Sequence, residues 1–361
     1  MTTSAATVAA TLGLLSLNTQ ANAETLGSWA DNTTLGGKSY IDFTHIENKS
    51  DGTKVDPTGT GADVKRFYVI IDHVFNEMWS ADLTTDFNYV SNDSETQFYV
   101  KKAYLQAKFS DAAIVRAGSS DLPWVPYVEN LYGYRYVENT LIDRLKFGTS
   151  ADWGLHAKGK LFNGMVNYAA SAVNGNGYKN PSRSKGVDFA GRIGIEPIKG
   201  LHLAGDFYSG KLGQDTQTGP STRTANRWGA VVAYVAPKFR LGAEYFSADD
   251  WKTSNNNAVL SSNPSDSADG YSVWGSIIPM AKVSLFARYD SAKPNKDTIP
   301  SLEDTYYNVG VSYAAYKNVD FALVYKHEKV DNGTINTSNG NIGGTNDGTY
   351  DEIGVWSQLK F

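Results

Sequence analysis

Apolar and polar positions alternate along nearly the whole chain. Ala81, Leu83, Thr85, Phe87 and Tyr89 oppose Ser80, Asp82, Thr84, Asp86 and Asn88. Val283, Leu285, Ala287 and Tyr289 oppose Ser284, Arg288 and Asp290. Successive side chains of a strand point to opposite faces, so each such segment predicts a strand with one greasy and one wet face. The same reading covers segments around Ile41, Val69, Leu105, Leu155, Tyr168, Ile193, Leu203, Val232, Leu241, Val309 and Leu323, and weaker ones around Ile114 and Val273. The pattern predicts about sixteen strands, each close to the ten or so residues that a tilted strand needs to cross a bilayer.

The connections carry a second period. Short breaks at 76–78, 110–112, 162–164, 197–200, 237–238, 279–281 and 316–318 alternate with long polar stretches at 47–62, 119–147, 174–185, 211–224, 250–268, 291–304 and 329–348. Tight turns at one end and long loops at the other predict an all-β transmembrane antiparallel barrel, with periplasmic turns and extracellular loops. Trp79, Tyr89, Trp153, Trp228, Tyr245, Tyr289, Tyr313 and Tyr325 near strand ends suit interfacial girdles. In the last ten residues Ile353, Val355, Leu359 and Phe361 share a face, opposite Glu352, Gln358 and Lys360. A spanning sheet must close, because an open edge in lipid leaves backbone groups unpaired. The terminal Phe361 is therefore expected to close the barrel and to serve as its assembly signal.

Composition changes the picture in three places. The mean hydropathy of −0.37 argues against helical spans, a test that barrel strands escape because only alternate residues face lipid. Among 361 residues there is no Cys, which removes disulfides and thiolate metal sites, and the net charge of −5 argues against nucleic acid. Residues 1–23 resemble a secretory signal: an apolar run from Val8 to Leu17 precedes Ala21-Asn22-Ala23, although no Lys or Arg comes before Lys38. Two parts are expected, a signal peptide at 1–23 and a barrel at 24–361, exported through the periplasm to the outer membrane.

Mid-strand charges fall opposite the greasy side chains. A Lys or Arg facing lipid at mid-depth costs about 2–4 kcal/mol, whereas a water-filled lumen accommodates it cheaply. The predicted lumen cations are Arg66, Lys102, Lys108, Arg116, Lys158, Arg192, Arg227, Arg240, Arg288 and Lys326. The acids are Asp42, Asp72, Asp82, Asp86, Asp152, Asp188, Asp206, Glu244, Asp290 and Asp320. The two sets are about equal, so the field of the lumen need not favour one sign. Residues 119–147 are aromatic and apolar where the other long connections are Ser, Asn, Gly and Asp. Such a segment is expected to fold into the barrel and narrow it, with Arg116, Trp124, Glu129, Arg135, Glu138, Asp143 and Arg144 at the constriction. Trp124, Tyr127, Tyr132, Tyr134 and Tyr136 either pack that loop on the wall or stack on sugar rings.

Leu122-Pro123-Trp124, Arg135-Tyr136-Val137-Glu138, the run from Gly148 to Gly154, and Asn174-Gly175-Asn176-Gly177 leading to Asp188-Phe189-Ala190-Gly191-Arg192 resemble the phosphate-selective porin (O and P type) family of Gram-negative outer membranes. The resemblance implies a sixteen-stranded, homotrimeric diffusion channel with its third loop folded inward. The expected function is passive passage of small hydrophilic solutes and ions across an outer membrane of lipid and lipopolysaccharide. A channel selective for phosphate, other anions or sugars is the alternative, and a non-conducting barrel enzyme or adhesin a third reading. The five His are far apart, and neither a Gly-x-Ser-x-Gly motif nor a P-loop occurs. No catalytic residue, metal or cofactor is expected.

Overall fold

The computed structural model describes residues 26–90, 95–253 and 256–361; the signal peptide expected at 1–23 lies outside them. A short helix α1 (Leu26–Asp31) leads into the barrel. The first half of the wall consists of β1 (Thr33–Ser50), β2 (Thr53–Val74), β3 (Trp79–Val90), β4 (Glu95–Ser110), β5 (Ala113–Asp121), β6 (Ala151–Leu161), β7 (Val166–Val173) and β8 (Asp188–Ile195). The second half consists of β9 (Leu201–Gly210), β10 (Ala225–Val235), β11 (Phe239–Asp249), β12 (Ser267–Met280), β13 (Val283–Lys293), β14 (Glu303–Tyr316), β15 (Val319–Asp331) and β18 (Asp347–Lys360). A small hairpin, β16 (Thr334–Thr337) and β17 (Gly340–Gly343), lies between the last two wall strands. The sixteen wall strands form one closed antiparallel barrel in which each pairs with its sequence neighbours and β18 pairs with β1. Among the described residues no helix is long and apolar enough to cross a membrane.

The alternation dictates which way each face turns. Leu241, Val309, Leu323, Ile353 and Val355 are exposed on the outside, while Glu244, Asp290, Lys326, Glu352 and Trp356 are buried inside. Closure is completed at the chain end: Gly37 N–H donates to the Phe361 carbonyl at 2.8 Å, and Phe361 N–H donates back to the Gly37 carbonyl at 3.1 Å. The Phe361 ring occupies the space beside Gly37, where an added Cβ would stand 2.4 Å from it. The seam thus needs glycine for close approach rather than for a left-handed turn.

Three details differ from the sequence expectation. The polar stretch at 47–62 is not an irregular loop. β1 and β2 continue through it, pair Ser50 with Thr53, and turn on Asp51-Gly52. The Asp51 carboxylate then accepts N–H groups of Thr345, Asn346 and Asp347, tying this arm to the last long loop. Secondly, the inner face is not uniformly polar: Val231, Ala233, Phe246, Ala248 and Trp274 point inward on β10–β12 and are buried. Thirdly, the ladder slips by one residue between Tyr40 and Ile41 opposite Lys65, and between Thr84 and Thr85 opposite Lys101. Each slip is a β-bulge, which leaves one residue unpaired and re-aims it.

Candidate functional site

The connection between β5 and β6 enters the barrel, and the inward apolar strip explains why it stays there. Leu122-Pro123-Trp124 leads into α2 (Val125–Tyr132), with Pro in its first turn, where the missing N–H costs nothing. The helix ends at Gly133, which is left-handed with φ 84° and donates to the Glu129 carbonyl. Glu138 and Thr140 then precede a single turn, α3 (Leu141–Arg144). Trp124, Val125, Val128, Leu131, Leu141, Ile142 and Phe147 form one buried cluster with Val231, Ala233, Phe246 and Trp274 of the wall. A second cluster places Tyr136 and Val137 with Phe286, Val324 and Trp356. Burying a large apolar side chain contributes about 1.5–3 kcal/mol relative to exposure, so these contacts together favour the inward position strongly.

Polar contacts fix the register of the loop. Four wall arginines donate to its carbonyls: Arg192 to Pro123 at 2.9 Å, Arg240 to Asn130 at 2.8 Å and Leu131 at 3.2 Å, Arg227 to Phe147 at 2.5 Å, and Arg288 to Asn139. Trp124 Nε1 donates to Glu244 at 2.7 Å, and the Tyr136 hydroxyl meets Ser312 at 2.8 Å. Tyr134 stacks on Phe286 at 4.0 Å between centroids, and its hydroxyl meets Ser284. These aromatic side chains are therefore engaged with the wall. Arg192, Arg227, Arg240 and Arg288 hold the loop, a task that their positions among expected lumen charges did not reveal.

Arg144 departs furthest from expectation. It does not line the narrow passage: its side chain is 0% exposed and bridges Asp290 at 3.0 Å, Asp304 at 2.5 Å and Glu328 at 2.5 Å. Arg288 also reaches Asp290, at 2.6 Å. Lys326 joins Glu138 at 3.3 Å and Glu352 at 3.0 Å. The β16–β17 hairpin caps this cluster, because Ser338 Oγ donates to Glu138, Ser338 N–H to the Arg144 carbonyl, and Asn339 to Glu328. That a second loop folds inward was not visible in the sequence, since its Ser, Asn and Gly composition matches the exterior loops.

Beside the loop an open cavity of about 500 Å³ remains. Its lining includes the expected Arg66, Trp124, Arg135, Glu138, Asp143 and Arg227. Arg135 is held from its own loop by Glu129 at 2.5 Å and Asp143 at 3.7 Å. Asp86 lies behind the lining, pairing with Arg66 at 3.5 Å and accepting the Tyr178 hydroxyl at 3.3 Å. The remaining expected residues lie elsewhere on the wall. Arg116 bonds to Gln106 and Ser120 over the Tyr104 ring, Lys102 pairs with Asp121, and Asp82 accepts from Thr84. Lys158 is half-buried on β6. Lys108 does not line the lumen as expected: it pairs with Asp111 in the turn after β4, at the rim and not in the waist.

The expected balance of charge also changes at the cavity. Lys65, Arg66, Arg135, Lys146, Lys179, Arg227, Lys252 and Lys326 line it, against Glu138, Asp143 and Asp206. Lys65 pairs with Asp42 and Asp63, Arg66 with Asp86, Arg135 with Glu129 and Asp143, Arg227 with Asp206 and Lys326 with Glu138 and Glu352, so the excess among the described residues is that of Lys146, Lys179 and Lys252. Two further features shape the lining. Wall acids such as Asp152 and Asp188 are spent on backbone N–H groups of Gly175, Lys211 and Leu212. In addition, the bulge in β2 turns Lys65 inward next to Arg66. The bulge in β4 likewise brings Lys101 to 4.8 Å from the Tyr68 ring inside the barrel.

Outside the barrel waist, Asp266 organises the loop at 250–266 against the one at 294–302. It accepts from Asn295 at 2.9 Å, from Asn256 at 2.5 Å, from Thr298 and from Asp297 N–H at 3.0 Å. Burial raises its carboxyl, but these donors outweigh burial and hold it below the usual carboxylate range. A depressed pKa stabilises the docked loops fully above the unfolded value and loses that contribution as pH falls through the folded one. The two loops are therefore expected to stay docked from neutral pH down to the usual carboxylate range and to loosen below it. Asp266→Asn should loosen them at neutral pH, read as faster protease cleavage within 250–266; cleavage unchanged in the variant would refute the assignment.

No protein-family model matches the chain, and no curated protein matches it by sequence. Solved structures do. An anion-selective porin from Comamonas acidovorans superposes with a TM-score of 0.68 at 11% identity, covering 91% of this chain and 99% of that one. The outer membrane channel DcaP of Acinetobacter baumannii gives a TM-score of 0.61 at 12% identity over 91% and 97% of the two chains. OmpT of Vibrio cholerae in its trimer form gives 0.59 at 13% identity over 91% and 99%. The chain has the fold of the Gram-negative outer-membrane porins.

Proposed function

We propose that this chain is an outer-membrane porin, a water-filled channel for passive diffusion of small hydrophilic solutes, and that it prefers anions. The observation that carries the preference is the cation excess around the open cavity. A low-dielectric wall bearing one sign of charge concentrates the opposite ion and raises its flux. The porin reading is supported by the closed barrel and by likeness over nine-tenths of the chain to structures named as porins and channels. We assign the narrowing to the loop at 122–150, the signal peptide to 1–23 and the assembly signal to Phe361. A homotrimer is the expected assembly, as the trimer form of OmpT has the same fold. The finer reading, membership of the phosphate-selective family, rests on the motifs between Leu122 and Arg192 and agrees in sign with a cationic lumen.

The test is current across a planar bilayer holding the refolded protein under a tenfold KCl gradient. Conductance in steps of three with a reversal potential of the chloride sign is the expected result. A potential of the potassium sign would overturn the anion preference, and a folded, inserted chain without current would overturn the porin reading.

A further inference from the structure

The outer face carries an open, shallow apolar furrow of about 970 Å³ across β11–β15, reaching Ile353 of β18. The ladder aligns Leu241 with Gly275, Gly275 with Ala287, and Ala287 with Val309. Gly275 and Ala287 form its floor, while Leu241, Ile277, Leu285 and Leu323 rise beside it. From Gly275 to the end of β12 at Met280 is five residues, or about 16 Å at about 3.3 Å per residue. With the strand tilted by about 40° this spans about 12 Å of depth, most of the half-thickness of a roughly 30 Å hydrocarbon layer. The furrow thus runs from the short-turn rim through most of one leaflet.

The rim above it is charged in a way the rest is not. The turns at 236–238, 281–282 and 317–318 each carry one lysine and no acid: Lys238, Lys282 and Lys317. All three are exposed, and among the described residues none lies within ion-pair distance of a carboxylate. Lys238 itself lines the furrow. On the other side of the barrel the turns after β2 and β4 carry Glu77 and Asp111 instead, and Asp111 is paired with Lys108. Adjacent strands are about 4.8 Å apart, so lysines in turns two strands apart stand about 10 Å from one another along the rim.

We propose that this furrow and the lysine rim form a binding site for an anionic phospholipid of the leaflet on the short-turn side. One acyl chain lies over Gly275 and Ala287, and the headgroup phosphate is held among Lys238, Lys282 and Lys317. The charge complementarity selects the headgroup, and the furrow selects a chain that begins at that rim. The site rests on the outer-membrane reading above, which places the short turns in the periplasm and this leaflet among phospholipids. Lysines near an anionic lipid surface contribute about fivefold each to partition, so three give a preference of at least about tenfold after losses to screening.

The experiment is native mass spectrometry of the refolded full chain, released from detergent micelles holding equal phosphatidylglycerol and phosphatidylethanolamine with the same acyl chains. The wild-type protein should retain phosphatidylglycerol about tenfold over phosphatidylethanolamine. Lys238→Gln/Lys282→Gln/Lys317→Gln should bring the ratio close to one. Gly275→Leu should reduce retention of both lipids, because it fills the floor. An added Cβ there meets only the Arg240 carbonyl at 3.6 Å and a Leu241 methyl at 3.7 Å, ordinary van der Waals contacts that leave the ladder undisturbed. A preference that survives in the triple variant overturns the proposal. So does a Gly275→Leu chain that keeps its lipid but changes its oligomeric state, which would make the furrow a contact between copies. Conductance measured on the same preparations separates this from the porin reading: current without lipid preference sinks only the lipid site, and lipid preference without current sinks only the pore.

Discussion

Arg144→Met is expected to release the tip of the inward loop and raise the single-channel conductance. Arg144 is the cation shared by Asp290, Asp304 and Glu328, all of them buried. Asp290 keeps Arg288 when Arg144 is lost, but Asp304 and Glu328 are left with no ion-paired cation among the described residues. Removing one partner of a buried ion pair costs about 3–5 kcal/mol, because an uncompensated charge remains. The barrel wall can keep its own ladder, so the penalty falls on the docked loop. The ratio of docked to released loop should fall by roughly two to four powers of ten. Released residues 139–147 would widen the passage and expose a protease site, read by larger conductance steps and by faster uptake of disaccharides into liposomes. Arg144→Lys should lie between, since a point charge cannot serve three carboxylates as a planar fork does. Arg144→Met combined with Asp304→Asn and Glu328→Gln should recover much of the docking, because no buried charge is then unpaired. Unchanged conductance in Arg144→Met, with no new cleavage, would remove Arg144 from this role.

The outward half of the molecule was legible because lipid imposes one rule on every strand. Leu241, Val309, Leu323 and Ile353 stand at a strict period of two and face outward as that period requires. The inward half obeys no single rule. Val231 and Phe246 occupy positions where water was expected, and they are apolar because a loop from elsewhere in the chain covers them. Arg144 lies in the inward loop as expected, but its surroundings are buried acids and not the open constriction, since its partners lie 146, 160 and 184 residues away. Nothing local to Leu141–Arg144 announces three acids on distant strands. The bulges at Lys65 and Lys101 are similarly hidden: Lys-Arg and Lys-Lys read as one inward and one outward residue until the register slips. The inward course of the loop itself was legible, because a stretch so rich in aromatic residues cannot sit in solvent without cost.

Lys146→Glu/Lys179→Glu/Lys252→Glu is expected to reverse the ion preference of the channel. The three lysines come from the loops at 122–150, 174–187 and 250–266, and all line the same cavity. They are exposed, and among the described residues none has a carboxylate within ion-pair distance. Changing them therefore breaks no buried contact, unlike changes at Arg227 or Lys326. Of the eight cations that line the cavity, the other five are each paired with a carboxylate, so these three carry the excess. Reversing them replaces three unpaired cations by three acids, which tips the sign of the excess. A perfectly selective pore gives about 59 mV across a tenfold gradient of a monovalent salt. A wide, water-filled passage reaches only part of that, so a swing of roughly 20–40 mV from the chloride toward the potassium side is expected. The swing should shrink as salt is raised, because the Debye length falls from about 10 Å at 0.1 M to about 3 Å at 1 M. Glutamine in place of glutamate at the same positions should bring about half the swing, since it removes charge without adding the opposite sign. If the reversal potential of the glutamate variant stays on the chloride side, the preference is set deeper, among Lys65, Arg66, Lys101 and Arg135, where the two bulged strands face the loop.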